Sequence, residues 1–404
     1  MRVITTINIK AAILSKHNPL RAAYLLGFAS LASWMPMLNL WLEDRGLNGT
    51  VIGYLASIPW LVMLFVQPAW GVLADKYGKL VCFRGVIIAA ALLFAIFPLA
   101  GSGILSIAVI TLLMSLFNAP VLPLLDSIAL DQVESSGDTS YSSIRFWGAP
   151  GYGLGALLTG WLVPSFGINV IFYLSAVFLL LTFLVVRKFI PTASSTKGLD
   201  LEFKDFRNII SNKILLIFLF VIVIVAIAQS ASTFYLTIYM REIGASPETT
   251  GLAISVQALS ELPYYFVAAW LLKRIIPGKV LVIAIFATSL RLFLYSVTSD
   301  PKWVILIETL NGLTWTLLWI AGVEFVNEIV PAQWRTTGQS LLWAAYFGAG
   351  SVLGNILSGQ LYEQMPMQKV FAVNSAMVFV IAIMATLIFF VKRKPKLDAE
   401  VAVS

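Results

Sequence analysis

The chain has 404 residues, 59% of them hydrophobic and only 12% charged, against roughly 45–50% and about 25% in an ordinary soluble domain. Its formal charge is +7, with a single cysteine and a single histidine. This composition describes an integral membrane protein rather than a soluble enzyme, and it turns the basic excess into a question of topology rather than of nucleic acid or acidic substrates.

Apolar runs of about 20 residues, the length that crosses hydrocarbon, are expected near 20–42, 50–74, 80–99, 103–131, 143–163 and 168–186. They are apolar all round rather than alternating, which argues against a β-barrel. From Arg187 to Lys213 the sequence turns polar, with a short amphipathic segment near 199–206. Six further runs follow, near 214–240, 248–271, 279–298, 302–327, 336–360 and 367–391. The expected fold is an all-α membrane protein of about twelve transmembrane helices in two six-helix pseudo-repeat bundles. Residues 1–190 form the first bundle, 191–213 a cytoplasmic linker, and 214–404 the second bundle with a cytoplasmic tail.

The positions of the bases orient it. With both termini in the cytoplasm, most Lys and Arg fall inside, among them Lys76, Lys79, Arg84, Arg187, Lys273, Lys279 and Arg335. Only Arg45, Arg241, Lys302 and Lys369 fall outside, as the positive-inside rule requires. The first twenty residues lack the compact apolar region and small-residue cleavage site of a signal peptide, and read as a tail. Cys82 is read as a packing residue and Asn48-Gly49-Thr50 as a chance sequon in a very short outer loop.

Between the second and third runs lies Gly71-Val-Leu-Ala-Asp75-Lys76-Tyr-Gly78-Lys79, read as a charged turn after a span ending at Trp70. The matching turn of the second half, Lys273 to Lys279, keeps the bases and a Gly-Lys but lacks the acid. Gly148, Gly151, Gly153, Gly155 and Gly160 line the fifth run, and Gly348, Gly350, Gly354 and Gly359 the eleventh. Pro36, Pro59, Pro120, Pro123 and Pro263 lie in others. These fit either tight helix packing or bending during gating.

Charges at bilayer depth cost at least about 2.5–3.5 kcal/mol on insertion scales and so mark sites or pairs. Asp126, Arg145, Glu261, Arg291, Glu308 and Glu324 are the candidates, Glu324 being close to the inner end. Arg291 and Glu308 lie about equally deep on either side of the turn at Asp300 and Pro301, and Asp126 and Arg145 flank the polar turn 132–141, so each pair is placed to meet. Helical spacing adds Tyr152 to Arg145, Asn118 to Asp126, and Asn311 and Trp315 to Glu308. Aromatic faces beside amides, carboxylates and guanidinium suit sugar rings or bases.

The Gly-x-x-x-Asp-x-x-Gly-Lys loop resembles the signature loop of major facilitator superfamily transporters. Ile144-Arg145-Phe146-Trp147-Gly148-Ala149-Pro150-Gly151-Tyr152 is similar to the fifth helix of the lactose-permease, nucleoside-permease and phenylpropionate-permease-like group. That resemblance implies a substrate-binding role for Arg145 and Tyr152, with Asp126 near the arginine's acidic partner. Glu261-Leu262-Pro263, Ser289-Leu290-Arg291 and Glu308 through Thr314 resemble the eighth, ninth and tenth helices. Asn311 and Thr314 stand where lactose permease carries a histidine and its coupling carboxylate, leaving Glu261, Glu308 and Asp126 to carry a proton. Trp334 to Leu342 resembles the start of the eleventh helix, and Asp75 is expected to meet that start near Arg335 and Thr336 when the cytoplasmic side closes.

The resemblance implies a secondary active transporter of a small polar organic solute, with sugar ahead of nucleoside or aromatic acid, coupled to protons. Site candidates are Asn118, Asp126, Arg145, Tyr152, Glu261, Asn311 and Trp315 for solute; Asp126, Glu261, Arg291 and Glu308 for charge coupling; and Gly71, Asp75, Lys76, Gly78, Lys79 and Arg335 for the gate. A proton-driven exporter and a transporter-like receptor are the alternatives. No motif points to a membrane enzyme, a metal or a cofactor. The expected setting is a bacterial inner membrane, as a monomer without a nucleic-acid partner.

Overall fold

The computed structural model describes residues 17–136, 139–189, 212–331 and 334–391. Nearly all of the linker expected at 191–213, with its amphipathic segment, lies outside the described residues, as does the tail from 392. Among the described residues, ten helices are long and apolar enough to cross a membrane. Two more, Gly148–Phe166 and Pro247–Leu272, are diluted by glycines and by Ser255, Gln257 and Glu261, and complete the expected twelve spans.

The first span, Asn18–Glu43, breaks between Trp34 and Leu38, where Pro36 removes a donor. The fourth likewise splits into Ile104–Asn118 and Val121–Ser136 around Pro120. Pro59 and Pro263, by contrast, sit inside unbroken helices. The fifth starts as a short Tyr141–Arg145 turn and restarts at Gly148. The seventh, Lys213–Phe234, is followed by Leu236–Glu242. The tenth and eleventh spans each contain a π-helical turn, Gly312–Thr316 and Ala344–Gly350, which nothing in the local sequence announced. His17, read as part of a tail, is buried, and its carbonyl accepts the Arg21 N–H in the first turn at 3.1 Å. Asn48 of the sequon caps the second span, its Oδ1 accepting from Val51 N at 3.0 Å.

The signature stretch needs a correction. The second span is helical from Gly49 to Tyr77, so Gly71, Asp75 and Lys76 lie in its last turns rather than in a loop. The turn itself is Gly78, at φ 95°, a left-handed conformation that favours glycine, and the third span begins at Lys79.

The halves meet along two seams, second span on eleventh and fifth on eighth. At the end that the charge distribution assigns to the outside, both seams are closed backbone to backbone. A Cβ on Gly49 would lie 2.3 Å from Gly359 O, and one on Gly53 2.6 Å from Asn355 O. On the other seam, a Cβ on Gly160 would lie 2.6 Å from Pro247 O and one on Gly251 2.6 Å from Ala156 O. The seam glycines are therefore packing surfaces in this conformation. Within the first half, Gly151 and Gly155 seat the fifth span against Leu25 and Ala29 of the first.

Ser57 Oγ reaches Val352 O at 3.1 Å, Trp60 stacks on Phe347 with centroids 6.0 Å apart, and Leu64 touches Gly348. There the contact of the second-to-eleventh seam ends. Phe65 is 72% exposed, Gly71 has nothing within 4 Å of an added Cβ, and Gly338 meets Val326 and Val330 of its own half instead. Both seams are thus closed at the outer end, and the second-to-eleventh seam opens toward the inner end.

Candidate functional site

In the first half, two phenols converge on one carboxylate oxygen. Tyr24 OH and Tyr141 OH both donate to Asp126 Oδ1, at 2.5 and 2.8 Å. Arg145, expected to pair with Asp126, is near it but not tightly bonded, with Nε 3.9 Å from Oδ1. Its guanidinium instead lies over the Phe28 ring, 4.2 Å from the centroid. Asp126 Oδ2 and most of the guanidinium donors make no hydrogen bond among the described residues, and both side chains are more than a third exposed, at 36% and 41%. This is a clamp held in shape from behind and open in front.

Tyr152 does not share a continuous helical face with Arg145, because the helix breaks at Phe146 and Trp147. It is placed across the interface instead, within electrostatic range of Glu261 and Glu308 of the other half. Asn118 ends its helix before the Pro120 break and makes no hydrogen bond to Asp126. The spacing argument that joined them assumed an unbroken helix.

In the second half, Arg291 and Glu308 do meet. Glu308 is 0% exposed and Arg291 4%, and Nη2 donates to Oε2. The remaining donors are used nearby: Nε to Tyr295 OH at 2.9 Å, and Nη1 to Asn311 Oδ1 at 2.7 Å and Thr314 Oγ1 at 3.1 Å. Tyr295 OH donates to Glu308 Oε1 at 2.6 Å, so both carboxylate oxygens are satisfied. Asn311 passes the network on, its Nδ2 donating to Glu261 Oε1 at 3.0 Å. Glu261 lies within range of both Arg145 and Arg291, which links the two clusters.

Beside this network stands Gln229, which sequence reasoning missed. Its Nε2 donates to Thr288 Oγ1 at 3.2 Å, and its Oε1 accepts from Tyr346 OH at 2.5 Å. A lone amide in an apolar run was the available signal, since buried amides in a membrane must find partners. Tyr24, Tyr141 and Tyr295 were missed because a phenol gives no sign in sequence of the carboxylate it will meet. Trp315, which was expected, packs on Trp319, Tyr346 and Phe347.

At the outer end, Arg241 of the second half bonds Glu43 and Asp44 of the first, and Tyr362 OH donates to Glu43. Burial alone would lower the Arg241 guanidinium, but the bond to Asp44 and the charges of Glu43 and Asp44 outweigh it and hold it above its usual value. Thr50 N donates to Glu363 Oε2 at 3.1 Å, and Thr237 Oγ1 to Pro36 O at 2.9 Å, also between halves.

At the inner end the expected gate residues are apart. Asp75 is exposed and does not meet Arg335, whose Nε donates to Asn327 O at 3.2 Å. The reason is the splay of the halves. Lys79 bonds Asp131 of its own half at 2.7 and 2.8 Å, a partner the sequence reading did not name, and Lys76 lies over the Tyr77 ring.

A family model for the MFS_1-like family matches residues 17–373. The chain belongs to that family. Among the relatives of this MFS_1-like chain is the maltose permease of Geobacillus stearothermophilus, 28% identical over 350 residues and covering 84% of this chain and 86% of that one. The uncharacterized transporter YwbF of Bacillus subtilis is 26% identical over 85% of this chain and 86% of its own. The multidrug resistance protein MdtG of Salmonella choleraesuis is 25% identical over 70% and 73%. The crystal structure of the nucleoside transporter NupG superposes with a TM-score of 0.83 at 19% identity, covering 94% of this chain and all of NupG, which establishes the fold. The protein is a membrane transporter of the major facilitator type, and its relatives and structural neighbours are transporters, not enzymes.

Proposed function

We propose that the protein is a secondary active transporter that imports a sugar, or a closely similar polar solute, with protons by alternating access. One observation carries this reading. Both seams are closed at the outer end and the second-to-eleventh seam is open at the inner end, and the Asp126 and Arg145 clamp lies toward the open side with exposed polar edges. Asp126 accepts and Arg145 donates, the pair of functions that a vicinal diol satisfies. The maltose permease relative supports a sugar over a nucleoside or an aromatic acid.

In this reading residues 1–190 and 214–404 are the two rocking bundles, 191–213 the linker between them, and both termini cytoplasmic, so the conformation is inward-open. Asn118, Tyr152, Asn311 and Trp315 belong to the walls of the path. Glu308 is held by Arg291 and Tyr295. Among the described residues Glu261 has only one neutral donor, Asn311, on one oxygen, and it is the carboxylate best placed to exchange a proton as the halves move. The protein acts as a monomer in a bacterial inner membrane, without cofactor or metal.

The test is uptake of radiolabelled maltose into proteoliposomes with an imposed proton gradient, acid outside. Accumulation that collapses with a protonophore is the expected result; accumulation indifferent to the gradient refutes the coupling, and no sugar transport refutes the substrate class. The MdtG relatives give an exporter a specific footing: vesicles that accumulate a hydrophobic cation instead of sugar, with the gradient reversed, would establish that second reading.

A further inference from the structure

The second half carries an aromatic wall that no residue of the charged network explains. Trp315 and Trp319 stack with centroids 5.4 Å apart, Trp319 meets Trp343 edge to face at 5.0 Å, and Trp343 stacks on Phe347 at 4.4 Å. Trp60 of the other half caps the wall by stacking on Phe347. Two features set it apart from ordinary core packing. First, it sits where the second-to-eleventh seam ends. Trp60 and Phe347 are among the last closed contacts, and Trp343, one turn further on the eleventh span, is 49% exposed. Second, the π-helical turns of the tenth and eleventh spans fall on it, with Trp315 in one and Tyr346 and Phe347 in the other. Such wide turns occur often at functional sites. Close packing holds them in place: a Cβ on Gly312 would strike Tyr264, and one on Gly350 would strike Ala226.

Depth decides what the wall faces. At 1.5 Å per residue, Trp319 lies about 27 Å from the outer end of the tenth span and Trp343 about 31 Å from that of the eleventh. Asp126 and Arg145 lie about 31–33 Å from the outer ends of theirs. The exposed part of the wall and the open edge of the clamp are therefore at the same level on opposite halves. A clamp of one acceptor and one guanidinium recognises hydroxyls but leaves the C–H faces of a ring unbound. The half-exposed Trp343 indole and the Trp319 indole, set at 77° to each other, offer electron-rich surface on two sides for those faces.

We propose that Trp319 and Trp343 form the stacking platform for a pyranose ring whose hydroxyls are taken by Asp126 and Arg145, and that they determine specificity for ring sugars over open-chain polyols. The proposal rests on the sugar-transport reading above and assigns to the second half a share in selecting the solute.

The experiment measures maltose and sorbitol binding to the purified full-length protein by quenching of intrinsic tryptophan fluorescence, alongside maltose uptake in proteoliposomes, for wild type, Trp343→Leu, Trp343→Phe and Trp319→Leu. Wild type is expected to bind maltose with a fluorescence change and to bind sorbitol at least about tenfold more weakly, the loss of one good stacking face. Trp343→Leu and Trp319→Leu should raise the maltose KM about tenfold with Vmax largely kept, and Trp343→Phe should restore most of the affinity, which a merely structural role would not produce. Maltose uptake with an unchanged KM in both Leu variants overturns the platform and leaves the transport reading intact. Equal binding of maltose and sorbitol by wild type also overturns it. Quenching by uridine, with none by maltose, overturns the platform's sugar assignment and the substrate reading together.

Discussion

Removing Arg291 is the sharpest test of the buried network. Glu308 is fully buried, and among the described residues its only side-chain donor apart from Arg291 is the Tyr295 hydroxyl. In Arg291→Met the stem is replaced at similar length, but a carboxylate remains in the interior without its cation, and Asn311 Oδ1 and Thr314 Oγ1 lose a donor. Breaking a buried pair from one side costs about 3–5 kcal/mol, whereas replacing both partners by apolar groups is often near neutral. Arg291→Met should therefore lower stability by about that amount, Glu308→Leu should do so comparably, and Arg291→Met/Glu308→Leu should recover most of the loss. The assay is thermal unfolding of the purified protein in one detergent at one pH, compared across the four members of the cycle. Either single variant melting with wild type, or a double variant that shows the sum of the two losses, would refute the reasoning.

Gly359→Val places a side chain where a Cβ would already lie 2.2 Å from Gly49 O; it should hold the outer end open and abolish uptake while leaving the protein folded, as shown by outer-end label distances and a monodisperse elution profile. Glu242, at the turn beyond the seventh span, is raised above its ordinary value of 4.5 by desolvation and the charge of Glu43, against the opposing Met367 N–H and Arg241. A raised value means that the outer-closed form binds the proton more readily, so its contribution to closure is present below the ordinary value and fades as pH rises through the raised one. Acidifying the outside to just above pH 4.5 should thus strengthen outer closure in the same label distances, and Glu242→Gln should remove that dependence. Arg145→Lys, which loses the planar fork of donors, should raise the KM for solute in uptake assays, with wild-type kinetics removing Arg145 from the site.

The crossings were legible because a membrane span writes its length directly into hydropathy, and Pro36 and Pro120 break helices for reasons visible in the residue itself. The Arg291 to Glu308 pair was legible because two antiparallel spans share a turn at Asp300, which fixes relative depth. Other features depend on groups far away in the chain. Tyr24 meets Asp126 across 102 residues, and the π-turn at Gly312 lies against Tyr264 and Ser260. Asn118 and Tyr152 were placed by spacing rules that assume a continuous helix, and both the fourth and fifth spans are interrupted between the residues being compared. The signature stretch was recognised correctly as a pattern but misplaced as a loop, since helix persists well past the apolar run. Its expected partner near Arg335 lies apart from it in the conformation described, bonded to Asn327 O instead.

In the proposed transport cycle the two ends open and close in opposition around the clamp. In a Cys82→Ser background, spin labels on Lys76 and Lys273 report the inner end, and labels on Phe166 and Glu248 the outer end. On adding maltose at acid pH, the account predicts that the inner distance shortens while the outer distance lengthens within the same sample. Both distances remaining fixed, or both shortening together, in protein that still transports would contradict it.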